Sequence, residues 1–421
     1  MSTPDTRDAD APAGYRRTRL TWVAFGALFA FGVLNATLGP VLPYLRAAQG
    51  TSHVEGAFHQ VAYALGGLTA GLQASRSTGR RKPLIVTGLA VAAAAGLLLA
   101  YGLVPAATVA AAFLIGGFAT AALIRTWAVV ADAHLRHRAV AMSEGEVLVS
   151  LAGIATPLLI SACAASLLGW QFSFVIAAAV VAAALLALWP MPLPAPMQRR
   201  HEPGRRPDEP GVLSTRRTFA AIIALVALEW ALTFWAASYL FESVGLPQDL
   251  AVALVSVLFA ATLAGRALAS RLARRMPTLT VLQLSLATAL AGCPILLLAQ
   301  DALVASAGLA VAGMGIGATF PLASALHVGA SRRTADQSMG QILAVAGVGQ
   351  IVGPVIAGAL AQYFGLRVGL LVVPALLVLA AIIVRPRRAR PTRAPDTTYA
   401  KDPHDRIPHR PPSDRPRPRT Q

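Results

Sequence analysis

Apolar residues in this chain come in long unbroken blocks. They lie at about 20–45, 56–75, 83–104, 106–132, 143–168, 170–189, 218–241, 250–272, 277–299, 302–327, 337–362 and 364–384. Each holds about 20 residues or more, enough for a helix to cross the hydrocarbon core of a bilayer. The blocks lack the period-2 alternation of a lipid-exposed barrel, and open sheet backbone cannot face hydrocarbon. The pattern therefore predicts an all-α membrane protein with twelve transmembrane helices. Junctions such as Val104-Pro105 and Gly169 leave room only for tight helical hairpins. The polar start, residues 1–19, precedes an apolar run without a small-residue cleavage site, so the first block reads as a retained helix.

Two composition shifts set the organisation. Residues 190–217 and 385–421 are rich in Pro and Arg with almost no apolar face, so neither segment can bury enough surface to offset the cost of ordering. The first reads as a cytoplasmic linker between six-helix bundles at 20–189 and 218–384. The second, like residues 1–19, reads as a disordered cytoplasmic tail. An internal repeat supports the division. Ala74-Ser75-Arg76 returns as Ala269-Ser270-Arg271, Gly116 as Gly313, Pro157 as Pro354 and Gly169 as Gly365, with spacings of 195 to 197 residues. Six spans, an even number, separate the copies, so the repeats share one orientation and are related by an axis along the membrane normal.

Composition agrees with a membrane chain: 56% of its 421 residues are hydrophobic and only 13% charged, with a mean hydropathy of +0.60. A water-soluble enzyme is excluded. The net charge of +17, from 36 Lys+Arg against 19 Asp+Glu, raises the question of nucleic acid. Position answers it: eleven basic residues lie from Arg385 onward, six from Arg199 to Arg217 and four before Leu20, all outside the apolar blocks. Loops on one side carry Arg76, Arg80, Arg81, Lys82, Arg136, Arg138, Arg271, Arg274, Arg275, Arg332 and Arg333, whereas the other side carries only Arg46 and Arg367, beside Glu242, Asp249 and Asp301. By the positive-inside rule both termini are cytoplasmic. The two cysteines, Cys163 and Cys293, lie inside apolar blocks and suggest neither a disulfide nor a metal.

The loop after the second block reads Gly71-Leu72-Gln73-Ala74-Ser75-Arg76-Ser77-Thr78-Gly79-Arg80-Arg81-Lys82. With its echo and the twelve spans, it resembles the G-x-L-A-D-R-x-G-R-R loop of the major facilitator superfamily, with one extra residue and Ser75 in place of Asp. In that loop Gly71 is expected to permit close helix packing, and Arg76, Gly79, Arg80, Arg81 and the echoed Arg271 to meet helix carbonyl ends or lipid headgroups. The resemblance implies two rocking bundles with helices 1, 4, 7 and 10 around a central passage. The family's exporter pattern, G-x-x-x-G-P-x-x-G-G on helix 5, is reduced to Gly153-Ile154-Ala155-Thr156-Pro157-Leu158, while a closer match, Gly349 to Gly353-Pro354 and Gly358, stands on helix 11. The string Leu34-Asn35-Ala36-Thr37-Leu38-Gly39-Pro40-Val41-Leu42-Pro43 is similar to the L-N-D-x-x-x-P region of the fucose-type sugar:proton symporter branch, with Ala36 in place of Asp.

An ionisable side chain near mid-bilayer costs at least about 2.5 kcal/mol, so it must face protein or water. Glu229 lies eleven residues beyond Thr218, roughly 16 Å into its span. It is expected either to accept a proton or to meet a cationic or hydroxylated substrate. Trp230 adjoins it and Thr233 follows one turn on. Asn35, flanked by Gly32 and Gly39, is either a solute contact or an interhelical amide; the glycines are expected to leave room beside it. Phe320, next to the Gly313, Gly315 and Gly317 run, and Gln350 complete the candidate substrate or proton site, with His59 and Gln60 as secondary contacts. Arg125 is expected to anchor a gating charge network with Asp132, Glu144 and Glu146.

No catalytic constellation, nucleotide-binding loop or metal-ligand spacing is legible, so cofactors are not expected and energy must come from solute or ion gradients. The sequence thus reads as a secondary active transporter in a bacterial-type inner membrane, a monomer among lipids, with a small-molecule substrate and a proton as coupling ion. Proton-driven efflux and uptake of a sugar or metabolite both remain open, and a non-transporting solute sensor is the alternative from another class.

Overall fold

The computed structural model describes residues 16–76, 80–134, 137–194, 213–330 and 335–385. Residues 1–15 and 386–421 of the tails expected to be disordered, most of the linker, and Gly79 lie outside the described residues, whereas the end of the first tail is ordered: Arg17 pairs with Glu144, Thr18 caps α1 and Arg19 opens it. Fifteen helices and no strand occur among the described residues. They form twelve columns. The first six comprise α1 (Arg19–Asn35) with α2 (Leu38–Gln49), α3 (His53–Arg76), α4 (Arg81–Tyr101), α5 (Pro105–Ala133), α6 (Arg138–Ala164) and α7 (Phe172–Leu188). The second six comprise α8 (Thr215–Glu242), α9 (Gln248–Leu272), α10 (Thr278–Leu297), α11 (Ala302–Ile316) with α12 (Thr319–Ala330), α13 (Ala335–Phe364), and α14 (Leu366–Gly369) with α15 (Val372–Ile383). Ten columns are long and apolar enough to cross a membrane, and α7 is a shorter apolar helix. The remaining column, α3, has the length, but His53, Glu55, His59 and Gln60 lower its hydropathy. The face where α1 begins is called the near face below, and the face where α2 ends the far face.

Local chemistry sets the helix ends. Thr18 caps α1 in a reciprocal box with Thr21, and the Asp301 carboxylate accepts from the backbone N–H groups of Leu303 and Val304 at the start of α11. Pro105 opens α5, where its missing N–H costs nothing. The sharp turns at the far face use glycines with positive φ, and these fall in pairs: Gly50 with Gly245, and Gly169 with Gly365. The separations are 195 and 196 residues, so the sequence repeat is also a repeat of backbone conformation.

Packing repeats it again. A Cβ on Gly116 would overlap the backbone of Tyr63, and one on Gly313 would press on Leu258, 195 residues further along. Gly66, rather than the expected Gly71, brings α3 against α5: a Cβ on Gly71 would meet nothing within 4 Å, so the packing role assigned to it is corrected.

The first and tenth columns are each broken, for one reason. Proline has no N–H and its ring clashes with the carbonyl four residues back. Pro40 strips Ala36 and Pro321 strips Gly317, and the breaks fall there, between α1 and α2 and between α11 and α12. At each break a threonine hydroxyl donates to a nearby carbonyl, Thr37 to Leu34 and Thr319 to Ile316, both at 2.8 Å. The run from 20 to 45 is therefore two helices reaching Gln49, where a single helix was expected.

Column α8 is buried on nearly every face from Ala221 to Leu240, including Trp235 and Tyr239, the behaviour expected of a helix that is apolar all round. It packs on α2, α13 and α15, while α6 packs on α9 and α3 on α13. The contacts of α2 with α8, α6 with α9 and α3 with α13 join elements of the two sequence halves and bring the chemistry of the site together.

Candidate functional site

Glu229 is fourteen residues from the start of α8 and thirteen from its end, hence about 20 Å from either. Its side chain is only 19% exposed. Directly opposite is Arg266 of α9, which no sequence argument singled out: its terminal nitrogen is 3.7 Å from Glu229 Oε1. A second terminal nitrogen of Arg266 donates to Glu146 Oε1 of α6 at 2.9 Å, and Nε donates to the Gly317 carbonyl at 2.9 Å. One guanidinium thus joins α6, α8, α9 and the break between α11 and α12. The planar fork of arginine suits such sharing. The Gly317 carbonyl is free to accept because Pro321 has removed its helical donor. The missed signal was an arginine six residues inside the apolar block 250–272, hidden by the loop arginines 271, 274 and 275.

Asn35 closes α1, and its Oδ1 accepts from the Tyr63 hydroxyl of α3 at 2.5 Å. The Tyr63 ring lies 6.1 Å from Trp230, so Asn35, Tyr63, Trp230 and Glu229 are contiguous. Thr233 donates its hydroxyl to the Glu229 carbonyl at 2.8 Å. The glycines beside Asn35 do not leave the expected room. A Cβ at Gly32 would lie 2.7 Å from Ala152 Cβ, and one at Gly39 would lie 2.6 Å from the Thr233 carbonyl, so α6 and α8 fill the space. Phe320 and Gln350 are half-buried, on α12 and α13. His59 is buried and bonded to Thr108 at 2.9 Å, whereas the buried Gln60 amide nitrogen has no protein partner.

The carboxylates grouped with Arg125 take arginine partners from other elements. Asp132 pairs with Arg81 at 2.6 Å, Glu144 with Arg17 at 2.7 Å and Glu146 with Arg266. Arg125 itself is half-buried on α5. Arg80 and Arg271 are exposed at the near face, and Arg76 ends α3. At the far face, Glu242 of α8 holds Arg46 of α2 at 2.6 Å and His53 of α3 at 2.8 Å. The His53 N–H donates to Gln362 of α13 at 3.0 Å, and Arg367 donates to the Ser243 and Ala299 carbonyls. Both far-side arginines are thus engaged. Among the described residues no group of three His, Cys, Asp or Glu could hold a metal ion.

Long apolar columns with exposed Leu, Ile and Phe outside, and ion pairs shared between helices inside, define a multi-pass membrane protein. The family model of the Major Facilitator Superfamily matches residues 23–341, and the chain belongs to that family. It is accordingly a transporter rather than an enzyme. Among solved structures it is similar to a bacterial homologue of the human lysosomal transporter Spinster, with 15% identity, 88% of this chain and 97% of that chain covered, and a TM-score of 0.69. It also resembles a D-xylose-proton symporter (15% identity, 87% and 96% covered, TM-score 0.68) and the E. coli fucose:proton symporter FucP (17% identity, 87% and 97% covered, TM-score 0.55). No curated protein matches the sequence.

Proposed function

We propose that this transporter moves a small organic solute by alternating access and couples that movement to protons through Glu229. In this reading the bundles at 20–189 and 218–384 rock about the cluster of Asn35, Tyr63, Trp230 and Glu229, with the near face and both termini cytoplasmic in a bacterial inner membrane. A single observation carries it: a carboxyl group halfway along a column buried on nearly every face, beside an amide and two aromatic rings that present hydrogen-bonding and stacking surface to a solute. Two similar solved structures are named as proton symporters, which supports coupling to a proton. The near-face excess of arginine supports the orientation.

The test is proton flux in vesicles. Purified protein is reconstituted with a pH-reporting dye inside, and sugars, nucleosides and organic cations are added in turn without an imposed gradient. One addition is expected to shift the internal pH for the unmodified protein and to leave it unchanged for Glu229→Gln. Solute-driven proton movement of equal size in Glu229→Gln would remove Glu229 from the coupling.

A further inference from the structure

Arg266 stands between two carboxylates that belong to different halves of the sequence. Glu146 of α6 is at 2.9 Å, Glu229 of α8 at 3.7 Å, and Nε is held in place by the Gly317 carbonyl. With Nε bonded to that carbonyl, one terminal nitrogen faces each carboxylate, Glu146 at hydrogen-bond distance and Glu229 beyond it. From the geometry we infer that Arg266 is the positioning residue that converts the protonation state of Glu229 into closure or release of the α6–α9 contact. The inference rests on the reading of Glu229 as the proton carrier.

The argument is one of competition. When Glu229 is an anion, two negative charges share one cation, and each weakens the other's claim on it. When Glu229 carries a proton, the rival charge is gone and Arg266 closes on Glu146 alone, tying α6 to α9. Both tied residues lie toward the near face: Arg266 is six residues before the end of α9, and Glu146 eight after the start of α6. Further along the same helix pair the contact is apolar or backbone-based. Ser256 donates to the Ile154 carbonyl at 2.7 Å, and Phe259 lies against Gly153. Nothing in those contacts depends on charge, so α6 and α9 can hinge there while the near ends part.

Among the described side chains, other charged groups on the elements packed against α8 are held elsewhere. Arg46 of α2 lies with Glu242 at the far face, Asp249 is in the first turn of α9, and Arg367 of α14 bonds Ser243. His327 of α12 bonds Thr218, eleven residues below Glu229, and Tyr63 of α3 bonds Asn35. Arg271 of α9 is exposed, and α11 and α15 carry no titratable side chain. Arg266 and Glu146 are the described charges that act on Glu229.

Spin labels on the exposed near-end positions Val140 of α6 and Leu268 of α9 report the separation. They are introduced by cysteine substitution after the buried Cys163 and Cys293 are replaced by alanine, and electron-electron distances are recorded in lipid nanodiscs across pH 5.5 to 9 (a window of about two units either side of neutrality). The short-distance population is expected to fall about twofold or more as pH rises, to stay high at every pH in Glu229→Gln, and to stay low at every pH in Glu146→Gln and Arg266→Gln. Arg266→Lys keeps the charge without the fork and is expected to retain a reduced pH response; it serves where the glutamine variant does not fold. A pH response that persists undiminished in Glu146→Gln or in the Arg266 variants overturns the role of Arg266 while leaving the proton flux through Glu229 standing. A response that persists in Glu229→Gln, or an unmodified protein insensitive to pH, overturns the competition itself.

Discussion

Arg266 donates Nε to the carbonyl of Gly317, and that carbonyl is available because Pro321, four residues on, has no N–H to give it. A break in one helix and a charge in its neighbour are therefore two sides of one hydrogen bond. The Arg266 side chain is 32% exposed, so water can meet part of its loss, whereas the buried Gly317 carbonyl left without its donor would be stranded at a helix break. The arrangement makes the tenth column sensitive to what Arg266 does.

Restoring the helical donor should uncouple the two. In Pro321→Ala the backbone N–H is expected to take the Gly317 carbonyl, straightening α11 into α12 and leaving Arg266 to its carboxylates. A helix-interior proline costs about 3 kcal/mol or more, so the melting temperature is expected to rise or hold while solute flux falls. A variant that transports at the unmodified rate with no added amide protection at that break would show the proline to be incidental.

The glycines divide sharply by what their missing side chains would meet. A Cβ on Gly353 of α13 would overlap the Ala227 carbonyl of α8, and one on Gly71 would meet nothing. Gly353→Ala is expected to destabilise the protein by about 1 to 3 kcal/mol through forced separation of the helices. Gly71→Ala should be neutral, or stabilising by up to about 1 kcal/mol through helix propensity alone. Thermal unfolding in one detergent, with the two variants side by side, checks both signs.

Much of the architecture was legible because hydrocarbon imposes so few solutions: long apolar blocks, arginine asymmetry and a repeat near 196 residues were enough for the twelve columns. The parts that escaped depend on side chains meeting across the sequence. Glu229 was conspicuous as a lone carboxylate in an apolar run, but its partner Arg266 was masked by nearby loop arginines, and proximity in sequence gave no sign that Arg17 and Arg266 reach Glu144 and Glu146 from elsewhere in the chain. Gly32 and Gly39 read as open space because sequence cannot say which backbone arrives to fill it. The Pro40 break was in plain view, four residues past Ala36, and went unused because the surrounding run was uniformly apolar.

One tryptophan ties the eighth helix to the internal proline of the thirteenth. Trp235 is fully buried and donates Nε1 to the Pro354 carbonyl at 2.9 Å. Trp235→Phe keeps most of the ring and loses the bond, so it is expected to cost about 1 kcal/mol, whereas Trp235→Ala also empties a cavity and is expected to cost about 3 to 5 kcal/mol. Equal losses in the two variants, read by thermal unfolding, would show that the hydrogen bond rather than the packing holds α8 to α13.

The far face is bridged by charge. Glu242 accepts from Arg46 at 2.6 Å and faces His53 Nε2 at 2.8 Å, linking α8 to both α2 and α3. Arg46 is only 12% exposed and Glu242 30%, so water screens the pair incompletely, yet the carboxylate is accessible enough that its worth stays near the upper end of surface pairs, about 1 kcal/mol. A double-mutant cycle of Arg46→Ala and Glu242→Ala is expected to return a coupling of that size in unfolding free energy. The pair bridges the two halves of the sequence on the side opposite Arg266, so its loss should also let the far ends part. A cysteine introduced at Gln49, at the far end of α2, is then expected to react faster with a membrane-impermeant maleimide in Glu242→Ala than in the unmodified background. A coupling indistinguishable from zero together with an unchanged labelling rate would mean that the apolar contacts of α2 with α8, around Gly39 and Phe234, hold the far face closed without help from the ion pair.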